Sequence, residues 1–315
     1  MQSEYLNFQL HTGFILKKTS DKPIMLVNRA SGKIEQETVF GDRSLRFMYD
    51  TLLGRTLWGI CFNSRGLSDL LGRYYDSPRS HKSIAKLAAI SGCAPEEAEK
   101  SPDEYGSFNE FFARKLKVGA RPCDFAAEKF VSPADGRVFV YSNLSADDPI
   151  PVKGARRTLR ELCLDKLPAD KLAVAVIRLA PVDYHRFHFP CDCVQAAEPL
   201  VFAGKYHSVN PVALLKRPDL FVENTRQLTE LESEVFGRFC YLEVGAFGVG
   251  SIIQTSGVGR HVKQEEKGYF KFGGSTVIVV LDNSKAEWEP DLLENSRKGY
   301  ETLLKTGSTL ATAVK

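Results

Sequence analysis

Ser275 follows two glycines, Gly273-Gly274, and precedes Thr276 and the apolar run 277–281. The glycines let the backbone bend sharply and place no side chain over the Gly274 carbonyl, which is therefore open to attack. A serine hydroxyl is a weak nucleophile at its own pKa and needs a base beside it. Asp183-Tyr184-His185-Arg186-Phe187-His188 offers two histidines three residues apart. In an extended segment they point to opposite faces; in a turn both point into one cleft. Asp135, in Ser132-Pro133-Ala134-Asp135-Gly136, suits either a self-bonded turn or the orienting role beside a base. Asp135, His188 and Ser275 thus supply the orienter, base and nucleophile of a triad, whose chain order is free. A hydrolase elbow reads Gly-x-Ser-x-Gly, and Val277 stands where the closing glycine would be. By itself the Gly-Gly-Ser-Thr stretch also suits a plain turn entering a strand.

These residues must be carried by strands. From about residue 128 the chain shows apolar runs at 138–141, 172–177, 239–244, 250–253 and 276–281, punctuated by glycines at 245, 248, 250, 257 and 259. The continuous run Leu172-Ala173-Val174-Ala175-Val176-Ile177 is that of a strand covered on both faces. No helical segment alternates with these runs, so the spacing predicts a mainly antiparallel β domain over 128–315. Residues 42–127 instead repeat at helical spacing. Leu45, Met48, Tyr49, Leu52 and Leu53 line one helix face, and Leu67, Leu70, Leu71, Tyr74 and Tyr75 another. Ser80 opens a segment with Ile84, Leu87 and Ala88 inward, Pro95 begins a short one, and Ser107 with Glu110 fits a capping box before Phe111, Phe112 and Leu116. Residues 1–41 read as a partly β leader. The fold class is therefore α+β, a helical region followed by a β catalytic domain.

Composition excludes several classes. The chain has 315 residues, 43% hydrophobic and 26% charged, with 42 Lys and Arg against 39 Asp and Glu. A formal charge of +3 is too balanced for a nucleic-acid partner, yet it tolerates an anionic membrane surface. Seven scattered cysteines point to a reducing compartment. Cys191-Asp192-Cys193 near the two histidines is a poor zinc signature, and no metal is expected. No signal peptide and no membrane span are legible. Leu57, Trp58 and Phe62, flanked by Arg43, Arg46 and Arg55, have the composition of an interfacial helix region, though from pattern alone packing against the rest of the protein is the preferred explanation.

Taken in order, the motifs resemble the phosphatidylserine decarboxylase family. The resemblance rests on 107–114 (Ser-Phe-Asn-Glu-Phe-Phe-Ala-Arg) with Arg121-Pro122, on 132–136, on 183–190, on 208–211, on 224–226, on 244–252 and on Gly273-Gly274-Ser275-Thr276. Each is weak alone, and in register they reinforce one another. The family often has Leu before Gly-Ser-Thr, where this chain has Gly273.

The resemblance implies a proenzyme that cuts itself. His188, oriented by Asp135, takes the Ser275 proton, and Oγ attacks the Gly274 carbonyl. The resulting serinolysis gives a β chain, 1–274, and an α chain, 275–315, with Ser275 converted to a pyruvoyl cofactor. Through an imine to that group the enzyme would decarboxylate phosphatidylserine to phosphatidylethanolamine. His185 is the implied proton donor to the product, a role suited to a histidine near neutral pKa. The implied substrate favours the membrane reading of Arg43, Arg46, Arg55, Leu57, Trp58 and Phe62. It makes the chain a peripheral protein at the cytoplasmic face of the cell membrane, and the family suggests a homodimer. A pyruvoyl decarboxylase of soluble amino acids, a serine hydrolase and a non-catalytic lipid-binding module are the rival readings.

Overall fold

The structure, a computed structural model, describes residues 24–37, 65–151, 155–163, 165–204, 219–248 and 252–314. The expected membrane-facing residues Arg43, Arg46, Arg55, Leu57, Trp58 and Phe62 lie outside them, as do the motif 208–211 and residues 249–251 of the motif 244–252.

In chain order the strands are β1 (Met25–Asn28), β2 (Lys33–Gln36), β3 (Lys129–Val131), β4 (Gly136–Ser145), β5 (Lys171–Leu179), β6 (Arg186–His188), β7 (Cys193–Gln195), β8 (Leu200–Phe202) and β9 (Arg226–Ser233). They continue with β10 (Gly237–Gly248), β11 (Ile252–Gln254), β12 (Gly259–His261), β13 (Glu266–Phe270), β14 (Gly273–Asp282), β15 (Ala286–Trp288), β16 (Glu301–Leu304) and β17 (Thr309–Ala313). The helices are α1 (Arg65–Asp76), α2 (Ile84–Ala88), α3 (Phe108–Phe112), α4 (Leu159–Cys163), α5 (Leu220–Glu223) and α6 (Pro290–Arg297), with short 3₁₀ turns between α1 and α3. Strand outweighs helix among the described residues, and no described helix is long and apolar enough to cross a membrane.

The main sheet runs β12-β7-β9-β10-β14-β5-β4-β16-β1-β2, with β8 beside β9. Its described ladders are antiparallel except for β1 with β16. Two three-stranded sheets, β11-β13-β6 and β15-β17-β3, accompany it. The expected antiparallel β domain is present, and β1 and β2, placed by sequence in the leader, extend its edge. The turn at 132–136 does not join a hairpin: β3 pairs with β17, while β4 pairs with β5 and β16.

The central strands are hydrophobic on both faces because each face has its own core. Ala173, Ala175, Ile177, Val277, Val279 and Tyr241 face one cluster with Phe187, Phe189 and Phe270. Leu172, Val174, Val176, Ile278, Val280 and Leu242 alternate with them and face another with Leu159, Leu162 and Phe221. Period-2 alternation is hidden in the sequence because neither side is polar. Each aliphatic side chain buried this way contributes roughly 1.5–3 kcal/mol. A third cluster, Ile84, Leu87, Phe108, Phe111 and Phe112 with Ala180 and Val182, docks α2 and α3 beside the histidine segment.

Local signals held in part. Ser107 Oγ accepts from the Glu110 amide at 3.2 Å, but the Glu110 carboxylate accepts from Gly106 N at 2.8 Å rather than from Ser107. The reciprocal box forms instead at Ser101 and Glu104, and α3 ends at Phe112, before Leu116. On α1, Leu70 and Tyr74 are exposed while Leu71 and Tyr75 turn partly inward.

Candidate active site

Ser275 sits in β14 between Gly245 of β10 and Leu179 of β5. It is the last residue of the β5 ladder. On the other side Gly248 pairs with Gly273, so residues 246 and 247 of β10 together oppose Gly274 alone. This is a β-bulge, a feature that locally releases a strand from its partner. The Gly274–Ser275 peptide therefore lies where β14 runs past one ladder and loses register with the other. Gly274 is half-buried, Ser275 is 1% exposed, and Ser275 Oγ has no hydrogen-bond partner among the described residues. The neighbouring Thr276 Oγ1 also lacks one. A buried hydroxyl left unpaired is costly.

The register fixes which way Ser275 points. Directly opposed residues of an antiparallel pair share a face, so Ser275, Gly245, Glu243 and Tyr241 project from the same side of the sheet. The sheet β11-β13-β6 lies over that side. The Tyr241 hydroxyl donates to the His188 carbonyl at 3.3 Å, and Lys267 of β13 reaches Glu243 at 2.6 Å. The face carrying Ser275 is thus the one that the histidine strand covers.

His188 ends β6, opposite Glu266, and its amide donates to Pro133 O at 2.8 Å. The backbone of the Asp135 turn is in this way pinned to the histidine strand. The His188 ring lies against Tyr184, with centroids 5.7 Å apart, and its Nδ1 is buried without a partner. Burial pulls its pKa down to about 4, with Glu266 opposing. At neutral pH it is an uncharged imidazole able to accept a proton.

His185 lies just before β6 and packs on Phe112 at 3.9 Å. Its Nδ1 is 3.0 Å from the Asp183 carbonyl, which only a protonated Nδ1 can satisfy, so Nε2 carries the lone pair. That Nε2 is buried and unpaired. Burial pulls the His185 pKa down to about 3, and the charges of Arg114 and Arg137 push the same way. This is well below the near-neutral histidine that the proton-donor role called for, and Phe112 and the surrounding core are the cause. Of the two arrangements open from sequence, residues 186–188 adopt the extended one, and the two rings pack on different partners.

Asp135 is buried and fully engaged. Arg121 donates Nε to Oδ1 at 2.9 Å and Nη2 to Oδ2 at 2.6 Å, and the Thr306 amide donates to Oδ1 at 2.8 Å. Burial raises the Asp135 pKa, with Arg121 and the Thr306 amide pulling against it. None of Asp135, His188 and Ser275 is hydrogen-bonded to another by its side chain; the Tyr184 ring neighbours both the His188 ring and the Arg121 guanidinium that holds Asp135. The expected contacts of the triad are not formed in this arrangement.

Sequence reasoning missed the residues that organise the site. Arg121 stood in a quoted motif without a role. Thr306, Tyr241 and the Glu243–Lys267 pair carried no local signal at all, since each acts across a sheet or between sheets. Cys191 and Cys193 are buried in the core cluster that contains Phe187 and Phe189.

Comparison with known proteins gives this constellation a family. Residues 108–311 match the profile of the phosphatidylserine decarboxylase family. A phosphatidylserine decarboxylase proenzyme of Clostridium botulinum is 38% identical over 296 residues, covering 92% of this chain and 99% of the relative. Proenzymes of the same name from Ruminiclostridium cellulolyticum and Fusobacterium nucleatum are each 38% identical, covering 92% and 90% of this chain and 98% and 96% of their own length. The chain is an enzyme, a decarboxylase. It belongs to the phosphatidylserine decarboxylase family.

Proposed function

We propose that this chain is a proenzyme that cuts itself between Gly274 and Ser275 and then decarboxylates phosphatidylserine to phosphatidylethanolamine. The observation that carries the reading is the buried, unpaired Ser275 hydroxyl beside a glycine carbonyl at the end of one ladder and opposite a bulge in the other. His188, uncharged at neutral pH, takes the hydroxyl proton, and Asp135 holds the turn that pins it. Oγ bonds to the Gly274 carbonyl carbon, and the Gly274–Ser275 C–N bond breaks with a proton passing to the departing nitrogen. This leaves an ester. Loss of the Ser275 α-proton expels the Gly274 carboxylate from Cβ, and water then replaces the nitrogen as ammonia.

The residues at this position fit the pyruvoyl group that would result: the site is screened from water and has a backbone free of side chains at Gly274. When formed, that group supplies the electron sink for loss of carbon dioxide. The chain's own part is to exclude water with Phe112, Phe187 and Tyr241, and to hold a proton at His185 or His188. Because His185 is an acceptor at Nε2 before substrate arrives, it acts as a donor only after an anionic headgroup has raised its pKa.

The substrate resides in a bilayer, and the exposed Leu70 and Tyr74 of α1 support a surface contact made without a span. Arg43, Arg46, Arg55, Leu57, Trp58 and Phe62 are the further residues read as meeting the membrane. The enzyme is read as a peripheral protein at the cytoplasmic face of an anionic membrane, working as a homodimer.

The test is the intact mass of the purified protein beside a Ser275→Ala control. Two fragments split at Gly274–Ser275, the smaller lighter by one ammonia than a Ser-started peptide, are expected. A single full-length mass in both samples would end this reading in favour of a hydrolase acting on other molecules or of an inactive lipid-binding module.

A further inference from the structure

Every acceptor position of the Asp135 carboxylate is spoken for. A carboxylate offers about four lone-pair sites. Oδ1 takes Arg121 Nε and the Thr306 amide, while Oδ2 takes Arg121 Nη2 and, at 3.1 Å, Nε again. Arg121 is itself held from behind. Its Nη1 pairs with Glu97 at 2.8 Å, and the other oxygen of Glu97 takes Lys305 Nζ at 2.6 Å. Thr306 and Lys305 are adjacent in sequence, so one short segment grips Asp135 directly and Arg121 through Glu97. Gly307 secures this segment: its φ is +85°, its amide donates to Ser132 O at 3.0 Å, and an added Cβ would stand 2.5 Å from Pro122 O.

Arg121 also faces the histidine. Its guanidinium lies 5.7 Å from the Tyr184 ring, whose other neighbour is the His188 ring. The charged groups around Asp135 are then Arg121, with Glu97 and Lys305 behind it, and Asp183, which is paired with Arg137. Arg121 is the sole cation hydrogen-bonded to the Asp135 carboxylate among the described residues.

We propose that Arg121 is the positioning residue of the self-cleavage site: its fork fixes the Asp135 carboxylate in place, and the Lys305-Thr306 segment closes the same clamp from beyond the cut. The inference rests on the reading of Ser275 as a self-cleaving serine, and it adds a requirement that the triad residues do not supply. Without Arg121 only the Thr306 amide offsets the burial of Asp135, so the carboxylate takes up a proton at a higher pH. His188, whose pKa is held down chiefly by burial, with Glu266 opposing and Arg186 and Arg121 adding to it, moves the same way to a lesser extent.

The experiment follows cleavage of the full chain made by cell-free translation, sampled over time from pH 3.5 to 9, for the unaltered sequence, Arg121→Gln, Arg121→Lys and Ser275→Ala. Arg121→Gln is expected to slow cleavage about tenfold or more at pH 7 and to move the acid limb of the rate profile up by about one to three pH units. Arg121→Lys keeps the charge but loses the fork, so it should cleave more slowly with its limb near the original. An Arg121→Gln profile equal to the unaltered one, or slowed by one factor at every pH, overturns the inference. If Arg121→Gln does not fold, unchanged cleavage in Arg121→Lys overturns it alone. Cleavage that persists in Ser275→Ala instead sinks the self-cleavage reading itself.

Discussion

Lys267 and Glu243 form an ion pair in which both side chains are 0% exposed, and Gln254 Oε1 accepts a further bond from Lys267 at 2.9 Å. Replacing Lys267 by Met leaves a carboxylate with no cation in a fully buried place, a change that costs about 3–5 kcal/mol when such pairs are broken. The fold can escape only by keeping Glu243 protonated, the direction in which burial already pushes it. A group whose folded pKa is raised gives its full stabilisation below the unfolded pKa, about 4.3 for Glu, and loses it as pH rises. The cost of holding that proton grows by about 1.4 kcal/mol per pH unit. Relative to the double variant Lys267→Met/Glu243→Gln, which has no titrating group, Lys267→Met should be weaker by about 1 kcal/mol at pH 5 and about 4 kcal/mol at pH 7.5. At roughly 2–4 °C per kcal/mol, Tm differences of about 2–4 °C and about 8–16 °C follow. Thermal melts by circular dichroism in the Ser275→Ala background, at both pH values, read this directly. A gap that is the same at pH 5 and pH 7.5 would refute the assignment of a buried, unscreened carboxylate at 243.

Other perturbations probe other contacts. Gly268→Ala would put a Cβ 2.2 Å from Ile253 O and 2.6 Å from Phe187 Cζ, so the β11-β13-β6 sheet must shift; lower Tm and loss of self-cleavage on gels are expected. His188 serves as a base with a pKa of about 4, so the self-cleavage rate should be flat from about pH 6 to 8 and fall as pH approaches 4. A bell centred near pH 6.5 would argue against it. Phe112→Ala opens the ring packed on His185, and its pKa, read by NMR titration, should rise from about 3 toward the ordinary histidine value. Reversing the charge of Arg43, Arg46 and Arg55 should weaken binding to anionic vesicles in a sedimentation assay while leaving self-cleavage intact.

The central strands were legible because Leu172–Ile177 and Thr276–Leu281 are apolar runs rich in β-branched residues and Phe239–Val244 is apolar and aromatic but for Glu243, and such runs need little context. The residues of the site were legible as types: a serine after two glycines, a histidine pair, an aspartate in a turn. Their partners were not. Arg121 reaches Asp135 only because α3 and the loop behind it dock on the histidine segment, and nothing in a sequence spacing of 14 residues says that a guanidinium will turn inward. Glu243 and Lys267 meet between two stacked sheets, a contact with no periodic signature. The edge strands β1 and β2 joined the sheet through a parallel pairing with β16, at the far end of the chain. Their weak alternation therefore concealed a role that distant residues determine. The histidine pKa values also escaped, since burial depends on Phe112 and Tyr184 and not on the histidine motif alone.

The position of β14 changes the molecularity of folding. It is flanked by β10 and β5, and its register partners run from Ser275 to Val280 along β10 and from Ser275 to Asp282 along β5, with only the Gly273–Gly248 pair lying before the cut. A cut before Ser275 would leave these ladders whole, so the small fragment would stay seated although no covalent bond held it. Before the cut, folding is a unimolecular event; after it, the same central strand must be recaptured from solution by a second chain. The processed protein should therefore refold after denaturation with a yield that rises with concentration, while the Ser275→Ala chain refolds independently of it. Cleavage at this one bond would turn a fold that a single chain regains alone into one that two chains must meet to regain.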